Sequence, residues 1–368
     1  MPDFIHRTTD MRVISRAGSC AMLGNELAKL EIRRPLVLSG RRTSQSPAYR
    51  DAVASLARGS YCEYVGIPQQ SSTAIVEVLV AMARDERIDG FVAIGGGSVS
   101  DSAKATALWL AEGGRLEDHA SRFTPPSNLV VPELNAPKLP IVAIATTASG
   151  AEATPSLGIR TPDGRKLLFT DIKLAARLIL LDPAANVAVP SAIMLSTGIN
   201  GVAHCIEGLY AKIRTPLTDA FSLHAIELFL DVLPRVKDEP GDMTHRAALL
   251  AAAHLSGLVL MNSRTCLHHA ICHAIGAITG VPHGEANAVV LPHAMRFNDE
   301  AVTLPIAVDR IEALQARLDV PTRLRDIGVA RETLGTIARK VMGERGLYFN
   351  PRPVAHHDEI ERLLERAW

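Results

Sequence analysis

The second half of the chain holds residues whose types and spacing can bind a metal or move a proton. They are Asn200 with His204, His269 with His273, and His283. Two of these spacings are i,i+4, which sets both side chains on one helix face about 6 Å apart along the axis. Two such pairs and a distant third histidine suit either a metal centre or a general-acid centre. The first half carries a different chemistry. Gly95-Gly96-Gly97-Ser98 is followed by Asp101 and Lys104. Glycines let a backbone approach a pyrophosphate, and the free amides of a helix start face it. Ser98 is placed to cap that helix, with Asp101 completing a capping-box-like pair. Taken alone, the segment also fits a plain strand-to-helix turn. A second polar loop runs from Thr146 and Thr147 to Thr154. Its hydroxyls can meet ribose, phosphate or nicotinamide.

The elements that must position these residues change character along the chain. Apolar runs at 35–39, 90–94, 140–145 and 178–181 read as buried strands, and 75–86 and 98–112 as helices between them. That alternation predicts an α/β domain with a parallel, Rossmann-like sheet. Both polar loops then lie at carboxyl ends of strands, where such sheets bind ligands. Residues 115–138 carry Pro125, Pro126, Pro132 and Pro137 without periodicity and read as a surface excursion. Thr161-Pro-Asp-Gly164 reads as a hairpin tip. After about residue 188 the segments 191–210, 216–234, 243–261, 264–279, 285–297 and 322–343 all accept a helical reading. The expected division is an α/β domain over 1–187 and an all-helical domain over 188–368.

Composition narrows the function classes. The 368 residues are 47% hydrophobic, with 39 basic and 39 acidic side chains and a net charge of +0. A neutral chain without a basic tract is a poor partner for nucleic acid or a membrane surface. No apolar run reaches the length of a membrane span, and residues 1–7 lack the core of a signal peptide. The five cysteines are odd in number and form no C-x2-C pair. A cytoplasmic protein with reduced thiols and a small-molecule substrate is expected. Cys205 and Cys272 adjoin cluster histidines and read as small buried residues.

A longer ordered set now stands in the sequence: Gly-Gly-Gly-Ser-x2-Asp-x2-Lys, Thr-Thr…Gly-x-Glu-x-Thr, Asp182-Pro183, Ser196-Thr197-Gly198…His204-x2-Glu207, and His269-x3-His273-x9-His283-Gly284-x2-Asn287-Ala288…Leu291-Pro292. From about residue 10 to 345 it resembles the iron-containing (group III) alcohol dehydrogenase family. The short chain, the 146–154 loop and Asn200 make it most similar to the maleylacetate reductase branch. Asp101 and the 115–138 excursion look like the general members. The resemblance implies a dehydroquinate synthase-like fold, a homodimer, and hydride transfer with NADH or NADPH.

It also implies where a divalent metal, iron or zinc, would sit: Asn200, His204, His269 and His283. The metal-dependent members have an aspartate in place of Asn200. Here the one anionic ligand becomes a neutral amide, although three histidines alone can hold zinc. Without metal, a protonated histidine must donate to the developing alkoxide. His273 is the first candidate, then His269 and His204. Glu207 either fixes a histidine tautomer or is a surface glutamate. After the strand at 35–38 the chain reads Ser39-Gly40-Arg41-Arg42, with no acid to repel a 2′-phosphate. Ser39 and Arg41 are therefore expected beside the adenosine ribose, with NADPH accepted alongside NADH. The expected activity is reduction of a carbonyl or of an enone of maleylacetate type. The alternatives are a metal-dependent alcohol dehydrogenase and a dehydroquinate-synthase-type lyase that retains its nicotinamide.

Overall fold

The computed structural model describes residues 3–125 and 127–368. Its strands are β1 (Arg12–Ser15), β2 (Pro35–Ser39), β3 (Cys62–Val65), β4 (Gly90–Gly95), β5 (Arg122–Thr124), β6 (Asn128–Val130), β7 (Ile141–Ala145), β8 (Ser156–Arg160), β9 (Lys166–Thr170) and β10 (Leu178–Leu181). Six of them form one sheet in the order β1-β10-β7-β4-β2-β3, every pairing parallel. The expected α/β half is therefore present. The inner strands are long apolar runs because both faces of a parallel sheet are covered. Leu36, Leu38, Phe91, Ala93, Ile141, Ala143 and Ile179 pack on the side of the helices Thr73–Asp85 and Gly97–Glu112. Their alternates Val37, Val92, Ile94, Val142, Ile144 and Leu180 pack with residues of Leu23–Lys29 and Pro47–Ala54.

Two antiparallel hairpins, β5–β6 and β8–β9, lie outside that sheet. The first occupies the proline-rich excursion. The second surrounds the expected turn at 161–164. From residue 188 onward the described elements are helical, including Ser191–Tyr210, Pro216–Asp238, Met243–Ser263, Leu267–Thr279 and His283–Asn298. The expected helix over 322–343 is broken. Gly328 closes a short turn at Leu324–Ile327 with φ +83°, and a helix resumes only at Leu334–Val341.

The two halves are pinned where the ligand loops lie. Gly150 has φ +65°, and a Cβ there would stand 2.5 Å from the carbonyl oxygen of Ala253. Only glycine allows the 146–154 loop to touch the Met243–Ser263 helix backbone to backbone. Buried Arg246 of that helix donates to Asn186, and Asn186 Nδ2 donates to the Thr146 carbonyl at 3.0 Å.

Candidate active site

The glycine-rich loop leaves the carboxyl end of β4, between β7 and β2. Gly96, not Ser98, is the capping residue of the helix Gly97–Glu112, and no side chain caps it. Ser98 instead donates its hydroxyl to the Gln69 carbonyl. The leading amides thus keep no side-chain partner, which suits a phosphate. A Cβ on Gly96 would lie 2.9 Å from the Thr147 side chain. The cradle between Gly96 and Thr147 is therefore as narrow as a bare backbone permits.

The other first-half residues divide into those that face this cradle and those that brace it. Lys104 is fully buried, with Nζ donating to the carbonyls of Ala151 (2.6 Å) and Ser156 (3.3 Å). Asp101 accepts from the Gly158 amide at 3.1 Å. Thr154 donates to the Ser156 carbonyl at 3.0 Å. These three hold the 146–154 loop and the β8–β9 hairpin. Ser39 turns its hydroxyl into the sheet, onto the Ile94 carbonyl at 2.9 Å. Arg41 and Arg42 are exposed at the end of β2, with no ion pair among the described residues.

A short path joins the cradle to the histidines. The Ala148 amide donates to Thr197 Oγ1 at 3.2 Å, and Thr197 lies one turn before Asn200 on the helix Ser191–Tyr210. The same helix carries His204 and Glu207. The helix Leu267–Thr279 supplies His268, His269 and His273, and His283 opens the next helix. The imidazoles gather closely, with ring centroids 4.8 Å apart for His204–His269, 5.8 Å for His269–His283 and 5.4 Å for His273–His283. All five candidates named from spacing thus meet in one place.

Hydrogen bonds fix the tautomers. His268 Nε2 lies 3.1 Å from the Asn287 carbonyl and must donate to it. His269 Nδ1 lies 2.6 Å from Glu207 Oε2, and its own amide donates to Glu207 Oε1 at 3.3 Å. His269 therefore carries its proton on Nδ1, and Nε2 is a bare acceptor. That Nε2 stands 3.0 Å from the side-chain amide of Asn200. An acceptor at this distance requires a donor, so the amide nitrogen of Asn200 belongs toward His269 and its oxygen toward His204 Nε2, 3.3 Å from the amide. The Asn287 amide, 2.8 Å from that of Asn200, then presents its oxygen, which otherwise has no partner.

The cluster is electrically quiet. Burial holds His204, His269 and His283 well below the ordinary histidine range, and neighbouring imidazoles lower them further. Burial also lowers His273, reinforced by Lys166, whose Nζ stands 3.5 Å from His273 Nε2. On its other side His273 Nδ1 faces Glu344 at 3.6 Å. Glu207 is fully buried, and its carboxyl is pushed up by that burial against the pull of the adjacent backbone amides.

A divalent ion fits this donor set poorly. Three imidazoles and an amide bring no negative charge to offset it. The Nε2 atoms of His204 and His269 are engaged with the Asn200 amide. Among the described residues, the buried trio whose ligand atoms lie within 4.8 Å of one another is Glu207, His268 and His269; the ring nitrogens of His204, His269 and His283 do not converge so closely. Two surface concavities, of about 580 and 690 Å³, lie elsewhere, and no cluster residue lines either.

Sequence comparison shows the family. Residues 10–183 match the model of "iron-containing alcohol dehydrogenase", and 194–307 and 304–368 that of the family's C-terminal part. The chain belongs to the iron-containing alcohol dehydrogenase family. It is an oxidoreductase. A maleylacetate reductase of Pseudomonas is 33% identical over 382 residues, covering 100% of this chain and 98% of that one. The crystal structure of maleylacetate reductase from a Rhizobium species superposes with a TM-score of 0.83 at 27% identity, covering 100% and 99%. A 1,3-propanediol oxidoreductase shares the fold at TM-score 0.90 and 22% identity, covering 100% of both chains. Among the described residues no helix is long and apolar enough to cross a membrane.

In this family member the residues singled out by type and spacing include the clustered histidines and both polar loops. It did not find Lys166, Arg160, Glu344 or Arg345. Arg160 and Lys166 are cross-strand partners in the β8–β9 hairpin. Two like charges flanking the expected Thr-Pro-Asp-Gly turn are the one sequence signal that could have pointed to them.

Proposed function

We propose that this enzyme reduces the enone of a maleylacetate-type substrate with NAD(P)H, and that it needs no metal. The observation that supports the reading is the neutral Asn200 amide, which engages His269 Nε2 and brings no charge to the site. Gly95, Gly96 and Gly97, with Ser98, Thr146 and Thr147 beside them, would hold the dinucleotide pyrophosphate. The Ala148–Thr197 contact joins the cradle to the histidine cluster, and a bound nicotinamide would supply the hydride there.

The protein's part is to hold and protonate the substrate. Glu207 and His268 orient His269, and the Asn200 amide bridges His269 and His204. Lys166 approaches the Nε2 of His273, and its ammonium supplies the proton that the buried, neutral imidazole passes on. We assign His273 as the group that protonates the developing enolate. His269 and His204 shape the oxyanion side through neutral imidazoles, which burial keeps uncharged.

The exposed Arg41 and Arg42 make NADPH acceptable alongside NADH. Replacing both by alanine raises the KM for NADPH about tenfold and leaves that for NADH within twofold; equal responses would show that this loop does not read the 2′-phosphate. A homodimeric, cytoplasmic enzyme is part of the same proposal, and light scattering giving twice the chain mass supports the dimer. The activity is tested by following NAD(P)H consumption with maleylacetate. Steady consumption supports the reductase. A cofactor returned to its starting state each turnover supports the lyase reading. Activity only on simple aldehydes after loading zinc or iron supports the metal-dependent dehydrogenase.

A further inference from the structure

The β8–β9 hairpin places like charges opposite each other. Arg160 and Lys166 are register partners across the strands, an arrangement that destabilises an antiparallel pair unless something anionic joins it. Lys166 lies along a groove that the hairpin itself provides. Its stem lies directly over Gly158, so closely that a Cβ there would collide with Lys166 Cε. From that groove the ammonium reaches to 3.5 Å from His273 Nε2 while staying open to solvent. The Arg160 guanidinium reaches the same wall, with Nη2 4.0 Å from where a Cβ on Gly276 would stand, one turn beyond His273.

More positive charge converges here. Arg345 lies near enough to act on both Lys166 and His273. Arg264 pins the base of the hairpin, donating to Ser156 Oγ at 2.9 Å and Thr170 Oγ1 at 3.2 Å. It does so from a left-handed backbone, φ +67°, a strained conformation for an arginine. Asp101 and Glu344 are the carboxylates that face Lys166. Lys166, Arg160 and Arg345 against Asp101 and Glu344 leave one positive charge in surplus beside a neutral histidine cluster.

We infer that this wall is the substrate's carboxylate-recognition site, and that Lys166 and Arg160 grip one carboxylate of a dicarboxylate substrate beside His273. A guanidinium and an ammonium held side by side match the two oxygens of a carboxylate. The inference rests on the reductase reading for what is reduced, and on the hairpin alone for what is bound.

The test has two readouts, kinetics with NADPH and calorimetry on the NADP⁺-bound enzyme. In kinetics with maleylacetate, Lys166→Gln and Arg160→Gln each raise KM about 10–100-fold, the usual worth of a charged hydrogen bond. The affinity for NADPH stays unchanged, and Lys166→Arg recovers most of the KM. In calorimetry, maleate, a dianion that cannot be reduced as a ketone, binds the wild-type complex and loses at least tenfold in affinity in Lys166→Gln. NADPH binding and circular dichroism of the variants establish that they are folded. If maleylacetate is not turned over but maleate still binds through Lys166, the reductase reading falls and the carboxylate site stands. Maleate binding that is absent in the wild type, or equal in all variants, overturns the site.

Discussion

His269 Nε2 lies 3.0 Å from the side-chain amide of Asn200. Because Glu207 holds the His269 proton on Nδ1, this contact is a hydrogen bond from the amide, and it takes up the lone pair that a metal would use. Asn200→Asp replaces that donor by an anion. The carboxylate favours imidazolium at His269 or His204 and supplies the missing charged ligand. We expect zinc affinity, measured calorimetrically at neutral pH, to rise at least about tenfold, and metal-free turnover to fall. Equal zinc affinity in the two proteins would show that the charge at position 200 does not govern metal binding.

Gly96→Val puts a branched side chain where even a Cβ meets Thr147 at 2.9 Å. The cradle then no longer admits a pyrophosphate. The dissociation constant for NAD(P)H should rise about 100-fold or more, roughly 2.8 kcal/mol, with helicity intact because the residue lies at a helix start. Unchanged cofactor binding would move the phosphate site elsewhere.

His273→Ala removes the assigned proton donor but nothing in the dinucleotide cradle. Turnover should fall about 10²–10⁴-fold, the usual contribution of a general acid, while NAD(P)H titrates as in the wild type. A loss confined to KM would instead mean that His273 only helps to seat the substrate.

Stability should fall on acidification through the histidine range. Burial pushes His268 down to about 4, against an ordinary value near 6.5. The unfolded chain takes up this proton first, so the contribution is complete above about pH 6.5 and is lost as pH falls toward 4. For His268 alone it is on the order of 3 kcal/mol. Urea unfolding from pH 7 to 4.5 should show the decline, with a shallower slope in His268→Gln. A wild-type stability independent of pH across that window would contradict the neutral cluster.

What the sequence could show depended on how local each signal is. The central strands read directly, because burial on both faces leaves unbroken apolar runs such as Ile141–Ala145. The edge strands β1 and β3, Arg-Val-Ile-Ser and Cys-Glu-Tyr-Val, are short and partly exposed and carry no such run. The helix Val308–Leu318 starts at Ala307 without a capping side chain and so has no start signal. His204 and Asn200, or His269 and His273, are helical neighbours, so their shared face is written in their spacing. Lys166 and His273 are 107 positions apart, and only the packing of the hairpin onto the helix Leu267–Thr279 brings them together. The reversal of Ser39, whose hydroxyl serves the sheet, is likewise invisible until the register of β2 with β4 is known.

The proposal that the site works without metal is tested most directly by one assay on the purified enzyme: NAD(P)H oxidation with maleylacetate before and after exhaustive chelation, with metal content measured on the same samples. The structure predicts full activity in protein containing far less than one metal ion per chain. A stoichiometric metal held by His204, His269 and His283, and lost together with activity, would contradict it.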